Sequence, residues 1–289
     1  MAPFGYGRRA PADQRRAPAR GGSSIKIRLL IAVVIILFSV VSFYMGTAEN
    51  PVTGEHERVA MGVEQEIQLG LEARRKVMAQ HGNLHPDERA QQLVDDVGET
   101  LLAALDRSLA QQQRKNPYQF EFHLLADDQT VNAFALPGGQ VFVTAALFGR
   151  LENKDQLAGV IGHEIGHVLA RHGAKRLAKQ KLTQGISGAV GVAAGDARSA
   201  QMAAAVANVV NMQYGRQDEL ESDRWGVMLT NMAGYDPREM IGVMRILDEA
   251  SGGGQGPPEF LSTHPKPANR VEYIKRVIAE TLPERLPPR

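Results

Sequence analysis

Two histidines four positions apart flank a glutamate in His163-Glu164-Ile165-Gly166-His167. On a helix this spacing puts both imidazoles on one face, with Cβ atoms about 5–6 Å apart. Both can then reach a single ion at the Zn–N distance of about 2.0–2.1 Å. Glu164 projects about 100° further round, beside such an ion and not straight at it. A carboxylate there can take a proton from a metal-bound water. Two imidazoles leave a catalytic zinc one protein ligand short, and glutamate is a common third. Glu219-Leu220-Glu221-Ser222-Asp223 begins 52 positions beyond His167. Glu219 and Asp223 share a helix face, and Glu221 lies about 200° from Glu219. Spacing alone leaves both options open, and only one of the two glutamates can be the ligand.

The elements that must carry these residues follow from the hydropathy pattern. The charged stretch Glu152–Asp155 leads into a long helix ending near His172, which holds both histidines. A second helix opens at Glu219 and runs toward Ala233, with Gly234 suited to its C-cap. Asp236, Pro237 and Glu239 suit the N-cap, first position and capping-box acid of the next helix. Val63–Gln80 and Pro86–Leu109 repeat apolar residues at helical spacing and read as helices covering a core; residues 267–280 read as a final helix. Phe120–Leu125 and Gln140–Thr144 read as strands. Asn132–Gly139 between them carries a Pro-Gly-Gly turn, and its proline argues for a sheet edge. The Gly/Ala-rich stretch Gly185–Val210 reads as a mobile segment plus a helix near the cleft, a lid, and residues 251–258 as a loop. No internal repeat is visible. The expected class is α+β, mostly helical, with a small β-sheet.

Of 289 residues, 43% are hydrophobic and 22% charged, which excludes global disorder. Cysteine is absent, excluding a disulfide framework, a Cys-based zinc ribbon, an iron–sulfur centre, a thiol nucleophile and an acylated lipoprotein cysteine. The net charge of +1 conceals an asymmetry: residues 1–28 hold seven basic residues and one acid, so the remainder is net acidic. The basic excess lies in a Pro/Gly/Ala/Arg tail that cannot form a core. The acidic remainder argues against a nucleic-acid partner. Leu29–Ala48 is 20 residues without a charge, about 30 Å of helix and the hydrocarbon thickness of a bilayer. Lys26 and Arg28 suit one interface, and Phe43 and Tyr44 the other. A cleaved signal peptide with Gly46-Thr47-Ala48 as its processing site is the rival reading. The length of the apolar run favours an uncleaved anchor. The expected division is a basic disordered cytoplasmic tail over 1–24, a transmembrane anchor over 25–48 that seats the chain in the lipid bilayer, and a zinc metallopeptidase domain over 49–289. Positive residues stay cytoplasmic, so this single-pass chain of the inner membrane would place its catalytic domain in the periplasm.

Four motifs give the chain a family resemblance: Asn132–Gly139, His163–His172, Glu219–Gly226 and Ser262–Arg270. They occur in the order seen in HtpX-like zinc metallopeptidases, the gluzincin family that also includes the CAAX-processing and Oma-type peptidases. The chain looks most similar to the periplasmic BepA/LoiP-like members, over roughly residues 55–280. It departs from HtpX itself in having one apolar span where HtpX has several. The resemblance implies a gluzincin-type fold and one Zn2+ per chain, held by His163, His167 and Glu219. It implies that Asp223 holds a ligand imidazole in its tautomer. His264 and Arg270 would stabilise the developing oxyanion, although in some relatives the histidine caps the resting zinc.

The resulting expectation is a membrane-anchored zinc endopeptidase in which Glu164 activates the zinc-bound water. Its substrates would be extended or unfolded segments of misfolded or unassembled envelope proteins. Edge residues Asn132, Ala133, Phe134 and Ala135 would pair with substrate backbone by strand addition. A plain hairpin is the simpler reading of that segment. The competing function is a non-catalytic or dual-role envelope chaperone or quality-control adaptor that retains a zinc site. A tethered nucleic-acid binder is a third and weaker class, because the domain is net acidic.

Overall fold

The computed structural model describes residues 25–59, 61–194, 214–251, 260, 264 and 269–282, with backbone only for 186–194 and 251. The basic tail, residues 195–210 of the Gly/Ala-rich stretch and the 252–258 part of the loop lie outside these residues. The apolar run forms α1 (Ile25–Met45), a helix long and apolar enough to cross a membrane. Most of its side chains are exposed, among them Leu30, Val34, Phe38 and Met45. The helix stops at Met45, before the end of the uncharged run. Thr47–Glu49 form β1, antiparallel to β2 (His56–Arg58), a hairpin the sequence reading did not contain.

Helices α2 (Val63–Gln80) and α3 (Glu88–Gln111) follow. Asp87 caps α3 by accepting from the Arg89 and Ala90 backbone N–H groups at 2.9 and 3.3 Å. The α3 stripe Val94, Val97, Leu101, Leu105 and Leu109 is buried, as 3.6-residue periodicity requires. A three-stranded sheet is ordered β3 (Glu121–Leu125), β5 (Gln140–Thr144), β4 (Ala133–Leu136). β3 runs parallel and β4 antiparallel to β5. As the central strand, β5 is buried along its whole length. The β4–β5 turn needs φ of +87° at Gly138 and +112° at Gly139, a region that favours glycine. A Cβ on Gly138 would lie 2.4 Å from the Ile67 Cα.

After the short α4 (Ala145–Phe148) comes the central helix, α5 (Lys154–Leu169), capped by Asn153, whose Oδ1 accepts from the Gln156 N–H at 2.8 Å. Every α5 residue from Gln156 to Leu169 is buried. The helix ends sooner than the sequence suggests. Arg171 adopts φ +53° and breaks the chain into α5 and α6 (His172–Ala194). Its guanidinium is held by Glu66 Oε1, with Nε at 2.9 Å, and by the Met61 carbonyl at 2.9 Å. This tethers the break to α2. Gly185–Ala194 continue α6, and α6 packs along α1.

α7 (Arg216–Ala233) ends on Gly234 at φ +86°, a left-handed C-cap. α8 (Glu239–Ser251) starts differently from the expectation. Asp236 accepts from the Arg238 N–H at 3.0 Å, and the Glu239 carboxylate bonds the Asn153 and Gln156 side chains at 3.1 and 3.0 Å. That acid ties α8 to the start of α5 instead of closing a capping box. α9 (Arg270–Thr281) packs on α7 and α8.

The closest helix pair is α5 with α7, and glycines permit it. A Cβ on Gly162 would sit 3.3 Å from the Gly226 Cα. One on Gly166 would sit 2.7 Å from the Trp225 Cβ and 3.1 Å from the Ser222 Cα. The second of those contacts is backbone and cannot swing aside. Gly166→Ala should therefore destabilise the fold by about 1–3 kcal/mol through overpacking. A urea-unfolding midpoint equal to that of the parent protein would contradict this.

Candidate metal centre

α5 presents His163 and His167 one turn apart, and α7 brings its first-turn acids toward them. Asp218 accepts from the Gly215 N–H at 2.9 Å. Asp218 and Glu219 together place negative charge at the positive end of the α7 dipole. Because α5 and α7 touch through glycines, the Glu219 carboxylate reaches both imidazoles. His163 Nε2 lies 3.5 Å from Glu219 Oε2, and His167 Nε2 lies 3.6 Å from Glu219 Oε1. The two Nε2 atoms are 3.1 Å apart. Ligands about 2.0–2.1 Å from a tetrahedral ion are separated by about 3.3–3.4 Å, the range in which each imidazole meets one oxygen of the Glu219 carboxylate. His264 joins them: one donor atom from each of His163, His167, Glu219 and His264 falls within 4.8 Å of the others, all four residues buried.

Glu221 is not part of this group. It turns to His172, with Oε2 3.1 Å from Nε2, and its side chain is 37% exposed. The choice that helical spacing left open is made by the direction from which α7 approaches.

A second ring of residues fixes the first. Asp223 Oδ1 is 3.1 Å from His163 Nδ1. Arg270 donates from Nε to Asp223 Oδ2 at 2.8 Å and from Nη2 to Oδ1 at 2.6 Å, and its Nη1 lies 3.1 Å from Glu219 Oε2. The guanidinium is thus spent on two carboxylates, one turn apart on α7, which it clamps together. His167 Nδ1 meets His172 Nδ1 at 2.9 Å. That pair, with Glu221 beyond it, orients the second imidazole as Asp223 orients the first. Tyr214 stacks on His167 with ring centroids 3.8 Å apart, and Phe260 on His264 at 4.4 Å. His172, Tyr214 and Phe260 were not singled out from sequence. His172 closes the motif His163–His172 without a role assigned to it, and Tyr214 and Phe260 lie in no motif.

Glu164 is fully buried, and neither of its oxygens makes a hydrogen bond among the described residues. His264 Nε2 lies 3.6 Å from its Oε1. His264 stands between two acids, since its Nδ1 is 3.1 Å from Glu219 Oε1. Desolvation pushes the Glu164 carboxyl above its ordinary range, against the opposing pull of His264 and His163. Glu219 and Asp223 go the other way. Burial alone would raise them, but His264 and His163 hold Glu219 down, and Arg270 holds Asp223 down. For His163, burial is outweighed by the Asp223 and Glu219 carboxylates, which bring it up to about 9. Burial and the neighbouring His163 charge drive His167 well down. Three buried carboxylates, Glu164, Glu219 and Asp223, face one guanidinium, Arg270. Ionised, and with the imidazoles neutral as metal ligands must be, they leave two negative charges uncompensated, the charge of one divalent cation.

Ala133, Phe134 and Ala135 lie on β4, the edge of the sheet, which packs beside α5, and Asn132 directly precedes the strand. Among the described residues, no strand pairs with its outer side. Asn132 and Ala133 are buried, Asn132 Oδ1 has no hydrogen-bond partner, and the Ala135 carbonyl lies 3.4 Å from the Tyr214 hydroxyl. Phe134 stacks on Phe142 at 5.1 Å.

The profile of Peptidase family M48 matches residues 88–278. The chain is 33% identical over 162 residues to the beta-barrel assembly-enhancing protease of Escherichia coli (strain K12), covering 53% of this chain and 33% of that protein. It is 32% identical over 168 residues to the mitochondrial metalloendopeptidase OMA1 of Saccharomyces cerevisiae, covering 55% of this chain and 47% of that one. The chain thus spans a third to a half of the length of these relatives.

Because carboxylates raise His163 to about 9, a proton competes with a metal for its imidazole. His167 is already neutral and Glu219 already ionised near neutral pH. One proton is therefore displaced on binding. The apparent zinc dissociation constant should rise about tenfold for each pH unit below about 9. Chelator-competition titrations across neutral pH read this slope, and a flat profile would refute it.

Proposed function

The chain belongs to peptidase family M48, and on that premise we propose that it is a zinc-dependent endopeptidase, held at a membrane by α1, that cuts extended segments of misfolded or unassembled envelope proteins. The observation that carries the reading is the Glu164 carboxylate: buried, without a hydrogen bond, and set beside the convergence of His163, His167 and Glu219. A buried carboxylate left without partners costs free energy. A general base whose pKa is raised toward neutrality explains why such an arrangement persists.

His163, His167 and Glu219 would hold zinc, whose Lewis acidity acts on water and on a peptide carbonyl. Glu164 takes a proton from the attacking water and passes it to the departing amide nitrogen. His264, between Glu164 and Glu219, is placed to donate from Nε2 to the oxygen of the tetrahedral intermediate. Arg270 acts one step further out. Its bonds to Asp223 and its contact with Glu219 keep the ligands in register, which is a positioning role. Asp223 holds the His163 Nδ1 proton and so leaves Nε2 as the ligand atom. The free side of β4 supports substrate pairing through Asn132, Ala133, Phe134 and Ala135, a mode that reads main chain and needs an unfolded segment.

The membrane part of the reading is supported by the exposed apolar surface of α1 and by the Arg-rich tail before it. The positive-inside rule then keeps residues 1–24 cytoplasmic and the catalytic domain on the other side, the periplasm of a bacterium.

Glu164→Gln should keep zinc at the parental stoichiometry while lowering casein hydrolysis by about 10²–10⁴-fold. 1,10-Phenanthroline should abolish hydrolysis by the parent protein, and added zinc restore it. A Glu164→Gln chain that digests casein at the parental rate would sink the hydrolytic reading.

A further inference from the structure

At the far end of α1 from Lys26 and Arg28, the chain gathers a second set of basic residues. A cavity of about 450 Å³ is lined by Phe43, Thr47, His56, Arg58, Lys175 and Lys179. α1 supplies Phe43, the β1–β2 hairpin supplies Thr47, His56 and Arg58, and α6 supplies the lysines, four residues apart on one helix face. Thr47 and Arg58 are directly paired across the hairpin. The Arg58 guanidinium stands 5.0 Å from the Tyr44 ring centroid and 5.8 Å from that of Phe43. Two acids are near. Glu57 takes Lys175 at 2.7 Å, and Glu49 lies opposite His56 in the hairpin. No ion pair to an acid is formed by Arg58 or Lys179 among the described residues.

A second cavity, of about 290 Å³, adjoins the first through Phe43. Phe38, Ser39, Ser42, Gly46 and Val59 form one side, and Ala178, Leu182 and the stem of Lys181 the other. It runs back along the α1–α6 seam, beside the apolar surface of α1. The first cavity carries His56, Arg58, Lys175 and Lys179, whereas the second has one lysine, Lys181, among Phe38, Phe43, Val59, Ala178 and Leu182.

The position of the cavities matters. α1 has 21 residues, about 31 Å of helix. Once it spans a bilayer, Phe43 lies at the far interface and Arg58 at headgroup level. The positive-inside rule accounts for the basic tail and for Lys26 and Arg28 on the near side. It offers no reason for Arg58, Lys175 and Lys179 on the other. Resting on the reading of α1 as a membrane anchor, we propose that these cavities form a binding site for an anionic phospholipid. Arg58 and Lys179 hold its phosphate, and the α1–α6 seam holds the upper part of an acyl chain.

The test uses the full-length chain loaded with zinc. Flotation with phosphatidylcholine vesicles reads anchoring by itself. Native mass spectrometry after reconstitution in phosphatidylcholine with phosphatidylglycerol reads the lipid that stays bound. The parent protein should float with neutral vesicles and retain phosphatidylglycerol in preference to phosphatidylcholine. Arg58→Ala with Lys179→Ala should still float, and should lose phosphatidylglycerol retention by about fivefold per residue removed. Lys26→Ala with Arg28→Ala, on the other side, should retain it. Retention in the Arg58/Lys179 variant equal to the parent overturns the site, as does equal loss in the Lys26/Arg28 variant. Displacement of the lipid by inorganic phosphate at equal concentration would show a plain anion pocket and overturn the lipid assignment. Failure to float with neutral vesicles overturns the anchor reading and this inference together, whereas flotation without headgroup preference overturns this inference alone.

Discussion

The constraint on which the rest depends is the contact between α5 and α7. A carboxylate that starts more than fifty residues from the histidines can share an ion with them only if the two helix backbones nearly touch. Gly162, Gly166 and Gly226 remove the side chains that would hold them apart. The cost is backbone entropy at three helical glycines. The return is that Glu219 stands 3.5 and 3.6 Å from two imidazoles inside a dry core. The same closeness makes the pair intolerant of added volume, because packed interiors transmit strain instead of absorbing it.

Burial sets the chemistry of everything placed there. With water excluded, each charge must be matched or shifted, and the cluster does both. Arg270 matches Asp223 and part of Glu219. Glu164 has no hydrogen-bonded match, and desolvation raises its carboxyl toward a value useful to a base. The imidazoles diverge, His163 drawn up by the acids around it and His167 driven down beside it. Each is held at Nδ1 by its own partner, Asp223 or His172, so Nε2 of both faces the same point. That orientation makes a three-residue set a site and not merely a group of neighbours.

The junction after α5 links this site to the apolar helix. Arg171 breaks the helix in a left-handed conformation and is pinned by Glu66. Asn50, just past the β1 strand, donates to the Leu169 carbonyl at 2.8 Å, at the end of α5. α6 then returns along α1. The hairpin and α6 therefore fix the helix that carries His163 and His167 relative to the segment proposed to lie in the bilayer, through buried polar bonds.

Sequence alone determined what depends on local spacing. The His-Glu-x-x-His turn, the stripes of α2 and α3, the Pro-Gly-Gly turn, the edge position of Asn132–Leu136 and the uncharged span are each written within a few dozen consecutive residues, where helix and strand periodicity act directly. The family resemblance extended that reach to Glu219, Asp223, His264 and Arg270 by motif order, without geometry. What local spacing could not hold was decided by tertiary structure. Whether Glu219 or Glu221 meets the histidines depends on the direction of α7. Whether Arg270 faces a substrate or two carboxylates depends on where α9 begins relative to α7. The break at Arg171 depends on a glutamate 105 positions away. The stacking of Tyr214 on His167 and the basic cup around Arg58 join residues from elements that share no periodicity. Local patterns report the conformational preferences of neighbours along the chain, and contacts across the chain exist only once packing has selected which faces meet.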